Sequence, residues 1–177
     1  KTFYDYFSIE SKKQKAQIDI EAKNQKEYEE KFGKIIDEKV AYFEALKTKA
    51  TKTASGLKYI ITQKGNGKKP AKGTNVSIHY AGFLENGQLF DTSIENVAQT
   101  FGKYDPSRAE QGGYEPIPFK TGRKDGMIPG FIEGLEKMSY GDKAILFIPS
   151  HLAYGAGGAG NVIPPNANII FEIELIE

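Results

Sequence analysis

Several short groups of residues carry spacings associated with chemistry, and each is tested by what surrounds it. Gly155-Ala156-Gly157-Gly158-Ala159-Gly160 spells GxGxxG, a dinucleotide-binding turn only if its last glycine opens a helix that receives the pyrophosphate. Pro164-Pro165 follows closely, so that helix is blocked and the nucleotide reading falls. Gly65-Asn66-Gly67-Lys68-Lys69 lacks phosphate-loop spacing and reads as a turn. The two histidines, His79 and His151, stand in a chain with no Cys and no HExxH, so neither a metal site nor a thiolate nucleophile is expected. His79, inside a strand pattern, reads as a hydrogen-bonded structural residue. Ser150-His151 are neighbours in sequence, but a nucleophile and base need an orienting acid in space. What remains is aromatic and aliphatic residues gathered beside turns and Gly, and no motif here calls for a cofactor.

Two kinds of element must position those residues. Residues 10–50 contain no Pro and only one Gly, and Lys, Glu, Gln and Ala dominate, a helix-forming composition. Phe32, Ile36, Val40, Phe43, Leu46 and Ala50 recur at helical spacing. A helix of this length would run about 60 Å, against a radius of gyration of about 14 Å for a compact domain of the remaining size. It is expected to project, either as a solvated spacer or as a dimerising arm. Residues 48–56 are polar and small, a hinge. Beyond them, residues 57–63, 75–85, 143–148 and 168–177 read as strands, and Asn86-Gly87 signals a two-residue hairpin. Ile169, Phe171, Ile173 and Leu175 share one face while Glu172 and Glu174 take the other, so one side of the sheet is buried. The one short helical pattern, residues 128–138, is placed across it. The expected division is a helical extension over 1–52 and a β-rich domain over 53–177.

Charge narrows the partners: 24 basic against 23 acidic residues give no bulk attraction to nucleic acid or an anionic membrane. No apolar run reaches the ~20 residues of a membrane span. A chain opening on Lys1 is expected to be trimmed, which leaves the compartment open.

Val76-Ser77-Ile78-His79-Tyr80-Ala81-Gly82, Asn86-Gly87 and Phe90-Asp91-Thr92-Ser93, with three later blocks, resemble the signature of the FKBP family of peptidyl-prolyl cis-trans isomerases. The later blocks are Ile128-Pro129-Gly130-Phe131-Ile132-Glu133-Gly134-Leu135, then Ala153-Tyr154-Gly155 with Val162-Ile163-Pro164-Pro165-Asn166-Ala167, and Phe171-Glu172-Ile173-Glu174-Leu175. The resemblance covers about 120 residues in the family's order. It implies an α+β fold, a five- to six-stranded antiparallel half-barrel wrapped around a short helix, preceded by the long helical extension. It also implies a pocket with Tyr80, Phe90, Asp91, Ile128 and Tyr154 as catalytic residues. Phe119, Met127, Val162, Ile163 and Phe171 would be further walls, and Phe131 the floor. Taken singly, each aromatic residue here would more often be ordinary core.

The activity so implied is acceleration of rotation about X-Pro bonds in unfolded or peptide substrates. The Ile128 N–H and Tyr154 hydroxyl would hold substrate carbonyls while Asp91 orients the edge. A macrolide of the tacrolimus or rapamycin type would be an expected inhibitor. The competing reading is a non-catalytic chaperone or scaffold that grips Pro segments. Helix-extended members are often exported and dimeric, which tilts the expected location to the periplasm or a surface anchor. Three departures from the family pattern stand out: Phe131 where Trp is common, Ile117 where an aromatic residue is common, and an enlarged flap over residues 94–115.

Overall fold

The computed structural model describes residues 2–177 and forms two compact units, Lys1–Ile35 and Ile36–Glu177. The division falls inside the first helix, α1 (Phe3–Lys47), rather than at residue 52. The helix begins ahead of the expected start because Thr2 and Asp5 form a capping box. The Asp5 N–H donates to Thr2 Oγ1 (3.4 Å), and the Thr2 N–H donates to Asp5 Oδ2 (3.0 Å). Within the first unit, Gln17 donates to Glu21 and Gln25 to Glu29, pairs one helical turn apart. Phe3, Tyr4, Tyr6 and Phe7 are 68–88% exposed there, and Ile18 and Ile20 are also exposed.

The second unit begins with the last turns of α1 and continues as β1 (Thr51–Lys52), β2 (Lys58–Gln63), β3 (Asn75–Leu84) and β4 (Leu89–Thr92). Two short helices follow, α2 (Glu95–Thr100) and α3 (Pro106–Glu110), then β5 (Ile117–Lys120), α4 (Pro129–Leu135), β6 (Lys143–Ile148) and β7 (Ile169–Ile176). The seven strands form one sheet in the order β1-β2-β6-β7-β3-β4, with β5 paired to the first half of β3. Every pairing is antiparallel. The expected hinge is thus partly ordered: Thr51 and Lys52 pair with Tyr59 and Lys58, adding an edge strand to the expected five or six.

The hairpin after β3 is not the two-residue kind. The Gly87 N–H donates to the Leu84 carbonyl and the Leu84 N–H to the Gln88 carbonyl, which closes a three-residue connection, Glu85-Asn86-Gly87. Gly87 alone of these takes a positive φ (+86°), so the turn ends in a glycine bulge rather than the mirror-image turn that needs positive φ at both central residues.

Both faces of the sheet are covered, where alternation in β7 suggested one. Ala144, Leu146 and Ile148 of β6 join Ile169, Phe171, Ile173 and Leu175 of β7 in the inner core with α4. On the outer face Phe43 of α1 packs edge-on against Phe83 (5.2 Å) and Phe147 (6.4 Å), and Phe101 after α2 packs against Phe83 (5.1 Å). Residues Ala144–Ile148 are therefore buried on both sides. Lys39 fits this layer despite its charge: its ammonium lies 5.0–5.4 Å from the rings of Tyr42, Phe43 and Phe83 and pairs with Glu172.

Candidate functional site

The pocket is built where β3, β4 and β7 meet the N-terminal end of α4. Along β4 the register shifts, Gly82 pairing with Asp91 but Phe83 with Leu89, so Phe90 is an extra residue, a β-bulge. Consecutive strand residues ordinarily face opposite ways. The bulge lets Phe90 and its neighbour Asp91 both line one cavity, of about 180 Å³. Gly82 makes room for this, since a Cβ there would run into the Phe90 ring and come within 2.8 Å of Phe171.

Phe171 is the centre of the aromatic set. Phe131, Phe90 and Tyr80 surround it with ring centroids at 5.0, 5.5 and 6.2 Å, the first two nearly perpendicular to it. Phe131 is 4% exposed and forms the floor. Pro129 at the first position of α4 sets the helix start, and it leaves the preceding Ile128 extended with its side chain on the cavity. The Ile128 N–H meets no protein acceptor among the described residues. The same holds for the hydroxyl of Tyr154, a ring 38% exposed on the rim. The loop carrying Tyr154 is tied down when the Asn166 N–H donates to the Gly155 carbonyl (2.8 Å), with Asn166 in the left-handed region (φ 59°) that Asn tolerates.

Asp91 is held from two sides. The Tyr80 hydroxyl donates to its Oδ2 (2.7 Å) and Arg108 Nη1 donates to its Oδ1 (2.8 Å). Burial, reinforced by the Asp91 carboxylate, pushes the Tyr80 phenol up to about 12. Burial and then the same negative charge raise the Tyr154 phenol, while the hydrogen bond to Asp91 raises the Arg108 guanidinium further. Both phenols are therefore neutral donors at neutral pH.

The structure brings Tyr80, Phe90, Asp91, Met127, Ile128, Phe131, Tyr154 and Phe171 together around this cavity. It does not bring Phe119, Val162 or Ile163. Ile163 is in the inner core at 3% exposure and Val162 is 53% exposed. Ile117 lines the pocket, and Phe119 lines a different cavity further along the core. Both point to one face of β5, but two residues along a strand shift a side chain by about 7 Å, which here separates the two cavities. Arg108 was not singled out from sequence. Asp105-Pro106 gave the signal: Asp105 caps α3 through the Ser107 and Arg108 N–H groups, and Pro106 opens it. Arg108 is further set by its Nε donating to the Gly113 carbonyl (3.0 Å) and by stacking over Tyr114 (4.6 Å). Away from the pocket, His79 Nδ1 pairs with Ser93 Oγ (2.9 Å), and His151 Nε2 lies against the Ser55 carbonyl (2.8 Å).

Set beside known proteins, residues 66–176 match the family described as FKBP-type peptidyl-prolyl cis-trans isomerase. The chain is 38% identical over 125 residues to a probable FKBP-type isomerase, FkpA, of Neisseria meningitidis, covering 71% of this chain and 39% of that protein. It is 37% identical over 150 residues to the FKBP-type 22 kDa isomerase of Escherichia coli, covering 84% of this chain and 63% of that one. The chain thus spans less than two thirds of the length of either relative. Among solved structures, FkpA from Escherichia coli superposes with a TM-score of 0.55 at 28% identity, over 96% of this chain and 70% of that one. The chain belongs to the FKBP-type peptidyl-prolyl cis-trans isomerase family.

Proposed function

We propose that the chain accelerates rotation about X-Pro peptide bonds in unfolded or peptide segments, with the proline ring seated on Phe131 and Phe171. The observation that carries this reading is a pair of donors with no acceptor among the described residues, the Ile128 N–H and the Tyr154 hydroxyl, beside an aromatic-walled cavity. Rotation has a barrier of about 18–20 kcal/mol because the amide nitrogen lone pair is delocalised onto oxygen. Twisting reduces that polarity, so a dry aromatic wall costs the planar ground state more than the twisted transition state. The two donors hold flanking carbonyls, and Asp91, fixed by Tyr80 and Arg108, orients the edge. No bond is made or broken. The test is cis-to-trans conversion of a short X-Pro peptide, which takes tens to hundreds of seconds unaided at 25 °C. The expected outcome is a rate that rises with protein concentration and favours a bulky apolar residue before Pro. A rate equal to buffer would leave the non-catalytic Pro-segment binder. A tacrolimus-type macrolide is expected to compete for the same cavity.

Self-association and chaperone action rest on a separate observation. The aromatic residues Phe3, Tyr4, Tyr6 and Phe7 stand exposed on the first two turns of α1, a surface suited to a second copy or to apolar segments of an unfolded chain.

A further inference from the structure

α4 has two ends, and only the first serves the pocket just described. Ile132 and Leu135 turn the other way, onto a second cavity of about 310 Å³ floored by Phe119, Met138 and Leu175. Leu135 and Phe119 are each 8% exposed and Met138 is 1% exposed, so the floor is an opening into the core itself. This volume reaches the lower end of the range typical of small-molecule sites.

The rim is polar, positively charged and fixed. Residues 69–74 are pinned to the end of β5: the Thr121 Oγ1 donates to the Ala71 carbonyl (2.7 Å), the Gly73 N–H to the Thr121 carbonyl (2.9 Å) and the Thr74 N–H to Thr121 Oγ1 (2.9 Å). Three lysines stand on this rim against one acid, Glu136. Lys124 pairs with the Glu136 carboxylate (2.6 Å), and Lys69 donates to the Glu136 carbonyl (3.3 Å). Lys72 has no acidic partner among the described residues. Its aliphatic stem lies along Gly122, where a Cβ would come within 2.6 Å of the Lys72 Cγ, and Lys72 is one of the residues that line the cavity.

We infer that this cavity is a binding site for a small amphipathic carboxylate, its apolar body on Phe119, Leu135 and Met138 and its charge on Lys72. The rim carries two more cations than anions, so a neutral or cationic guest is disfavoured relative to an anion.

Isothermal titration of the full chain with decanoate tests this, with decanol as the uncharged comparison. The expected result is saturable decanoate binding that weakens at least tenfold in Lys72→Glu, is unchanged in Tyr154→Ala, and is stronger than decanol binding. Lys72→Glu is an exposed change outside the isomerase pocket, so X-Pro turnover equal to the parent chain shows that the variant is folded. No saturable decanoate binding, a smaller than tenfold effect of Lys72→Glu, binding no stronger than that of decanol, or loss of binding in Tyr154→Ala would each overturn the inference.

Discussion

At the scale of single residues, the Ile128 N–H and the Tyr154 hydroxyl have no acceptor among the described residues, whereas the Asp91 carboxylate is held by Tyr80 and Arg108. Tyr154→Phe removes one neutral hydrogen bond, typically about 0.5–1.5 kcal/mol. It should lower kcat/KM by up to about tenfold, since 1.4 kcal/mol is a factor of ten in rate. Phe90→Ala and Asp91→Leu should lower it more than they lower the thermal midpoint, because both side chains line a cavity. Arg108→Ala leaves the aromatic walls intact but frees one oxygen of Asp91. A several-fold fall in peptide turnover with an unchanged midpoint would assign Arg108 a positioning role, and unchanged turnover would deny it. The phenols also make a pH prediction. The folded Tyr80 is raised to about 12, above the ordinary value near 10, so the folded state favours its neutral form. That contribution to stability is whole below about pH 10 and is lost as pH rises towards 12. Alkaline unfolding followed by circular dichroism should accordingly begin at lower pH in wild type than a Tyr80→Phe chain shows relative to its own neutral-pH stability.

At the scale of elements, close approach and coverage decide what each substitution costs. Gly134 of α4 lies so near Leu146 that a Cβ would overlap its side chain. Gly134→Ala should cost about 1–3 kcal/mol by overpacking, read as a lower urea midpoint with little change in slope. Phe43 is 2% exposed on the outer face, and Phe43→Ala should cost about 3–5 kcal/mol. A cost under about 1 kcal/mol would mean that this end of α1 does not belong to the core. Much of this layering was legible in the sequence, and the limits are physical. Alternation in β7 named the inner face through Ile169, Phe171, Ile173 and Leu175, which the structure buries. The Ile36, Val40 and Phe43 stripe was equally visible, but periodicity reports only that a helix has an apolar side. It does not say whether that side meets its own sheet or another molecule, and here Phe43 packs on the sheet and Ile36 against the turn at Gly87. The Phe90 bulge was hidden for a related reason: register is a property of two strands, and one strand's alternation would have sent Phe90 and Asp91 to opposite faces.

At the scale of the whole molecule, the division within α1 changes what can be removed. Deleting residues 1–35 takes away only the first unit, whereas deleting residues 1–52 also takes Ile36, Phe43 and the β1 edge strand from the second. The shorter deletion should leave the urea midpoint and small-peptide turnover unchanged. The longer should cost more than Phe43→Ala alone, a large share of the 5–15 kcal/mol that holds a domain of this kind folded. The motive for self-association moves accordingly, away from the covered stripe and onto Phe3, Tyr4, Tyr6, Phe7, Ile18 and Ile20, which are exposed. A dimer formed there would carry two pockets on one frame and raise the effective concentration seen by an unfolded chain with several prolines, without altering either pocket. Deleting residues 1–35 should then leave X-Pro peptide turnover per chain unchanged while reducing the refolding yield of a proline-rich protein substrate. Light scattering at tens of micromolar should give twice the chain mass for the full protein and one chain mass for the deletion. A single-chain mass for both would reject the first unit as a stable dimeriser and leave its exposed aromatics to bind unfolded segments directly.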